Sequence, residues 1–263
     1  MKSTWASSAI ELLEHANSHI LTNTDFDKRM AFISIDNSIE VMVRTFLSMP
    51  KIISGISVDT KALKEAQNIF PRLLELLYKH ASSKIIGIDV TEIEFYHRIR
   101  NKLYHDGLGI TVCKQHLDAY KGIASVLLQN LFNETIPIAP ENFSMEKLIV
   151  NWNIIENLIK KEIERQGLVI SYSRIENFNA PSLNKEISEL RKIRNKFVHS
   201  EKIEDADVRF WAQRSEDLLQ KLKYIRDQAT ATDTVNVSRV CAHCGSSLIK
   251  EKNNIFVCPK CSR

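Results

Sequence analysis

Glycine and proline are scarce, 7 and 6 among 263 residues. Sandwiches and barrels use those residues at their many turns, so the shortage argues against a β architecture and for helices. No apolar run approaches the ~20 residues that a membrane-spanning helix needs. The N-terminus lacks the basic-then-apolar layout of a secretory signal. The expected setting is therefore the cytoplasm, with no membrane contact. A glycine-rich loop that could cradle phosphates is missing too, which leaves a kinase or ATPase reading without support. The first 238 residues also lack an excess of either charge. The net +4 is carried by residues 239–263, where Arg239, Lys250, Lys252, Lys260 and Arg263 face only Glu251. Polyanion contacts outside any cleft are thus expected at this tail.

What the chain does contain is a repeat. Ile99-Arg100-Asn101-Lys102-Leu103-Tyr104-His105 returns at an offset of 94 (Arg100 to Arg194) as Ile193-Arg194-Asn195-Lys196-Phe197-Val198-His199. Glu92-Ile93 and Glu186-Ile187 share that offset. Each copy ends a helical pattern, with Ile93, Tyr96, Ile99 and Leu103 in the first and Ile187, Leu190, Ile193 and Phe197 in the second. Asn and His, four apart, share a helix face. Arg and His, five apart, are about 140° around a straight helix, so they converge only if the helix distorts or the Arg side chain sweeps round. Asp106-Gly107 ends the first helix directly after His105, where distortion is cheap. That geometry suits a cleft.

The apolar spacing predicts helices over 4–20, 27–49, 60–81 (kinked at Pro71), 89–105 and 114–134. Residues 133–144, with Pro137 and Pro140, read as a linker. Helices over 145–166, 183–199 and 204–228 follow. The segment from Asn37 to Arg44, with Glu40, is loosely mirrored from Asn153 to Lys160, with Glu156. The distance from that Glu to the motif Arg shrinks in the second set, which has lost or shortened one helix. The expected fold class is all-α: two tandem helical bundles, 1–135 and 144–228, then a small β element at 239–263 beyond a linker at 229–238.

That last element holds four of the five cysteines. Cys241 and Cys244 form one Cys-x-x-Cys knuckle, and Cys258 and Cys261 the other. Strands over 247–252 and 255–257, turning at Asn253-Asn254, would make a zinc ribbon. Four thiolates supply the closed tetrahedral shell of a structural Zn2+. A tail this short cannot bury a core, so the metal must supply its folding energy. Two disulfides are the alternative, disfavoured without a secretory signal. The fifth cysteine, Cys113, reads as a core or surface thiol.

Arg, a polar residue, three more residues and His, near the end of a helix in a small bundle, resembles the motif of the HEPN superfamily. The resemblance covers roughly residues 1–228 as two units. It implies a metal-independent endoribonuclease in which two units pair and their motifs face each other across a composite site. The chain would then be a pseudo-dimer within itself, or pair as a homodimer. Its partners would be RNA and, for a bacterial toxin or antiviral defence effector, an antitoxin or defence-system protein. In that reading His105 and His199 serve as base and acid, and Arg100 and Arg194 stabilise charge on phosphorus. Asn101 and Asn195 orient the imidazoles or bind phosphate. Glu40 and Glu156 either line the same cleft or are surface acids. Some HEPN toxins carry a Tyr two residues after the His as a modification site; here those positions are Gly107 and Glu201, which argues against such regulation. Two other readings stand beside it. One is a non-catalytic RNA- or nucleotide-binding module with a ribbon for docking. In the other, the repeated segments merely fasten two halves together.

Overall fold

The structure is a computed structural model that describes residues 4–105, 112–136, 144–165, 181–199, 204–234, 249–250 and 256–257. Among these, ten α-helices account for nearly all regular structure. They are α1 (Ser7–Thr22), α2 (Asp25–Ser48), α3 (Lys51–Ser54), α4 (Thr60–Ala66), α5 (Phe70–Ala81), α6 (Val90–His105), α7 (Lys114–Phe132), α8 (Met145–Arg165), α9 (Pro181–His199) and α10 (Asp205–Thr234). A 3-10 turn, Ser82–Lys84, follows α5. No helix in the described residues is long and apolar enough to cross a membrane.

Local chemistry sets many of the ends. Thr24 caps α2 by accepting from the Asp27 amide at 3.1 Å, and Asp25 and Asp27 place negative charge at its positive end. Asp59 caps α4 from the Ala62 amide at 3.0 Å. The expected kinked helix over 60–81 is two helices instead. Pro71 sits in the first turn of α5, where its missing N–H is no loss, so the chain stops at α4 and restarts. α10 continues past 228 to Thr234, because residues 229–234 contain neither glycine nor proline to end it.

Packing divides the chain into two compact units, Met1–Leu222 and Lys223–Arg263. In the first, α1 lies on α2, and α7 packs on both α2 and α8. Helices from both expected bundles, 1–135 and 144–228, therefore share one unit. Its core runs through Phe32, Ile35 and Ile39 of α2, Tyr120 and Leu127 of α7, and Ile155 of α8, all fully buried. Gly122 lets α7 and α8 approach closely: a Cβ there would lie 3.0 Å from the Ile149 Cβ and 3.2 Å from the Glu146 Cα. Lys121 and Glu146, both buried, form an ion pair at 3.0 Å across the same seam. The second unit contains an antiparallel strand pair, β1 (Ile249–Lys250) and β2 (Phe256–Val257), with Ile249 opposite Val257 and Lys250 opposite Phe256.

Candidate functional site: two copies of one segment

The first copy lies on α6. Arg100 Nη1 donates to its neighbour's Asn101 Oδ1 at 3.1 Å. Nη2 donates to Asn37 Oδ1 of α2, also at 3.1 Å. Nε lies 3.3 Å from Asp36 Oδ2, and the guanidinium sits 5.2 Å over the Tyr104 ring. Asp36 is wholly buried. It accepts from the Tyr120 hydroxyl at 2.7 Å and meets His97 Nδ1 at 3.1 Å. Burial of Tyr120, and the Asp36 carboxylate beside it, push that phenol well above its ordinary range. Tyr120 therefore stays a donor to Asp36. His105 is the last residue of α6, and its side chain falls outside the described residues.

The second copy, on α9, builds the same local unit in a different setting. Arg194 Nη1 donates to Asn195 Oδ1 at 3.2 Å and to Glu92 Oε1 of α6. Arg194 is 3% exposed and Glu92 1%. Arg194 Nε and Nη2, and Glu92 Oε2, are buried without a hydrogen-bond partner. Burial raises the Glu92 carboxyl above the ordinary 4.5, a rise opposed by Arg194. Asn195 and His199 are exposed. The His199 ring stands edge-on to Phe95 of α6, centroids 5.3 Å apart. The Val198 carbonyl accepts from the buried Tyr96 hydroxyl at 3.0 Å.

The second segment thus rests on the N-terminal half of the helix that carries the first. Glu92 and Arg100 are eight residues apart on α6, about 12 Å of helix rise. Between them, Tyr96 packs on Tyr120 with ring centroids 4.6 Å apart, and Tyr120 bonds Asp36. The two arginines are therefore bound to acids on either side of a buried pair of tyrosines. Among the described residues no hydrogen bond joins the Arg-Asn pair of one copy to that of the other.

A cleft of about 480 Å3 opens beside the second copy. α8 contributes Trp152, Glu156 and Lys160, and α9 contributes Arg191, Arg194 and Asn195. The loop between α5 and α6 closes it. Gly87 there has φ +75°, and a Cβ would lie 2.9 Å from the Asn153 Cα, so only glycine fits. Asn153 Nδ2 holds the loop by donating to the Ile86 carbonyl. Burial raises the Glu156 carboxyl, with Arg191 and Arg194 opposing the rise. The two acids treated alike from the sequence part company: Glu156 lines this cleft, whereas Glu40 pairs with Arg44 at 2.6 Å on the surface of α2.

Asp36 is the residue that sequence reasoning passed over. It adjoins Asn37 and falls among Phe32, Ile35 and Ile39, all buried on the same helix; an acid within an apolar stripe was the available signal. Cys113 is a half-buried free thiol, pushed up by burial. The expected zinc ligands Cys241, Cys244, Cys258 and Cys261 lie outside the described residues. Compared with family models, curated proteins and solved structures, the chain matches none.

Proposed function

We propose that the chain is a metal-independent endoribonuclease whose site is composed of the two Arg-Asn-x-x-x-His segments. The supporting observation is the shared local geometry: in both copies the Asn amide oxygen accepts from Nη1 of the preceding Arg, at 3.1 and 3.2 Å. A side-chain fork held in one orientation is what phosphate recognition requires. RNA supplies its own nucleophile. One histidine takes the proton of the 2′-hydroxyl as its oxygen attacks phosphorus. The other gives a proton to the departing 5′-oxygen, leaving a 2′,3′-cyclic phosphate and a 5′-hydroxyl. Arg100, the part-exposed arginine, stabilises the charge that develops on phosphorus, and Arg194, paired with Glu92, holds the second segment in place. Such an enzyme fits a toxin or antiviral effector held in check by a partner protein. The four tail cysteines would bind a structural zinc; a strand pair lying between the two knuckles in sequence is compatible with a ribbon.

The test is incubation of the purified chain with single-stranded RNA, in EDTA and in Mg2+, with the new ends resolved. Cyclic-phosphate ends in both conditions are expected; intact RNA in both contradicts the proposal. One observation favours a second reading. The Arg194–Glu92 pair is buried and the Val198 carbonyl is bonded to Tyr96, which is how a segment that only fastens α9 to α6 would look. RNA binding without cutting would favour that non-catalytic module.

A further inference from the structure

Where α1 lies on α2, the molecule holds a pair of histidines that the nuclease reading does not use. His15 and His19 are one turn apart on α1, with ring centroids 4.6 Å apart and planes at 82°. Each ring is held through Nδ1 by a side chain of α2. His15 Nδ1 lies 3.1 Å from the hydroxyl oxygen of Ser34, a buried residue. His19 Nδ1 lies 2.7 Å from Asp27 Oδ1. Asp27 accepts from the Thr24 hydroxyl as well. That bond, followed by the one to His19, holds the Asp27 carboxyl below the usual carboxylate range.

A carboxylate that stays ionised fixes the imidazole beside it. Asp27 accepts the Nδ1 proton, so a neutral His19 carries its lone pair on Nε2, the form that binds a metal. The Ser34 oxygen can accept from His15 in the same way. Among the described residues no hydrogen bond engages either Nε2. His15 is exposed and the His19 side chain partly so, so an ion from solvent can reach both. With metal–nitrogen bonds of about 2.1 Å, two imidazoles at adjacent corners of a square or octahedral shell have centroids about 4.5 Å apart. The observed separation matches that spacing. Glu11, exposed one turn before His15, adds a negative charge that favours a cation. No third His, Cys, Asp or Glu completes a cluster among the described residues, which leaves the other positions of the shell to water.

We propose that His15 and His19 chelate one divalent transition ion of the nitrogen-seeking kind, Ni2+ or Cu2+, through their Nε2 atoms. Asp27 and Ser34 are positioning residues that hold the two rings from behind. Mg2+ and Ca2+, which demand oxygen ligands, find no site here. The ion keeps open positions where water exchanges for a further ligand. The repeated segments lie on α6 and α9, so this site on α1 neither needs nor supports the nuclease reading.

The test titrates Ni2+ into the full chain after one equivalent of Zn2+, so that the four tail cysteines do not compete. Calorimetry should show one bound Ni2+ in the parent. The imidazole NMR signals of His15 and His19 should broaden before those of the other histidines. His15→Gln and His19→Gln should each weaken binding by roughly tenfold or more, and His15→Gln, on an exposed residue, should unfold at the parent's urea midpoint. Asp27→Asn places an amide beside Nδ1, which favours a proton on Nε2 of His19. It should weaken binding about 10–100-fold and move the His19 ring nitrogen shifts to that tautomer. If Asp27→Asn fails to fold, the two histidine variants decide. The proposal is overturned if millimolar Ni2+ does not bind, if Mg2+ displaces it, or if both histidine variants bind as the parent does. Binding lost in the histidine variants but kept in Asp27→Asn upholds the chelate and overturns the positioning role of the carboxylate.

Discussion

The two copies of the repeated segment share five residue types, the same helical register and the same Arg-to-Asn hydrogen bond, yet their arginines lie in different surroundings. Arg100 is part-exposed and meets Asp36, Asn37 and Asn101. Arg194 is buried, meets Glu92 and Asn195, and leaves Nε and Nη2 without a hydrogen bond, against Nε alone on Arg100. The cause can be traced to one position. In the mirrored segments Trp152 stands where Asp36 stands, so α8 offers no acid at that position. Arg194 donates instead to Glu92 of α6, while Glu156 of α8 acts on it only through its charge. Glu186, the counterpart of Glu92, pairs instead with Lys221 at 2.9 Å on the surface. A repeat therefore fixes the local unit, while the neighbour supplied by the fold decides whether it faces the interior or the solvent.

The sharpest way to break this contrast is to remove the acid from each copy. Glu92→Gln leaves a buried guanidinium uncompensated and should cost about 3–5 kcal/mol in urea unfolding. Asp36→Asn should cost less, roughly 1–3 kcal/mol, because Arg100 can turn to water. The reverse order would show that Arg194 is not the more deeply held. Glu92→Met combined with Arg194→Met should recover most of the loss. Next in size is Arg100→Ala, expected to lower RNA cleavage by about 10²–10³ while the far-ultraviolet spectrum stays unchanged.

A pH series sharpens the comparison further. Burial raises Glu156 above the ordinary 4.5, so the folded state holds its proton more tightly than the unfolded chain. Its contribution to stability is full below that value and is lost as pH rises through the raised value. Glu156→Gln should therefore gain stability relative to the parent as pH rises above 4.5; a constant difference would argue against the raised carboxyl. Smallest of all, Asn101→Ala and Asn195→Ala should each cost about 0.5–1.5 kcal/mol. Similar costs are expected, since the two bonds are 3.1 and 3.2 Å long, and a large disparity would show that the local units are not equivalent.

Much of the helical layout could be read from spacing alone. Helices expected over 89–105 and 183–199 are α6 (Val90–His105) and α9 (Pro181–His199), because apolar periodicity and terminal signals are local properties. The turn of helix at α3 and the break between α4 and α5 were not legible, since they depend on how Pro50 and Pro71 are accommodated. The partner of each arginine was less legible still. Asp36 and Glu92 reach Arg100 and Arg194 across 64 and 102 positions of sequence, and no local pattern records such a pairing. The cleft draws on α5, the following loop, α8 and α9, so its shape exists only once those elements pack.

The composite-site proposal is tested most directly by removing one imidazole at a time. RNA cleavage in EDTA should fall by about 10²–10⁴ in His105→Ala and again in His199→Ala, each relative to the parent chain. His199 is exposed, so its variant should unfold at the parent's urea midpoint. Full cutting by either variant would contradict a site built from both copies.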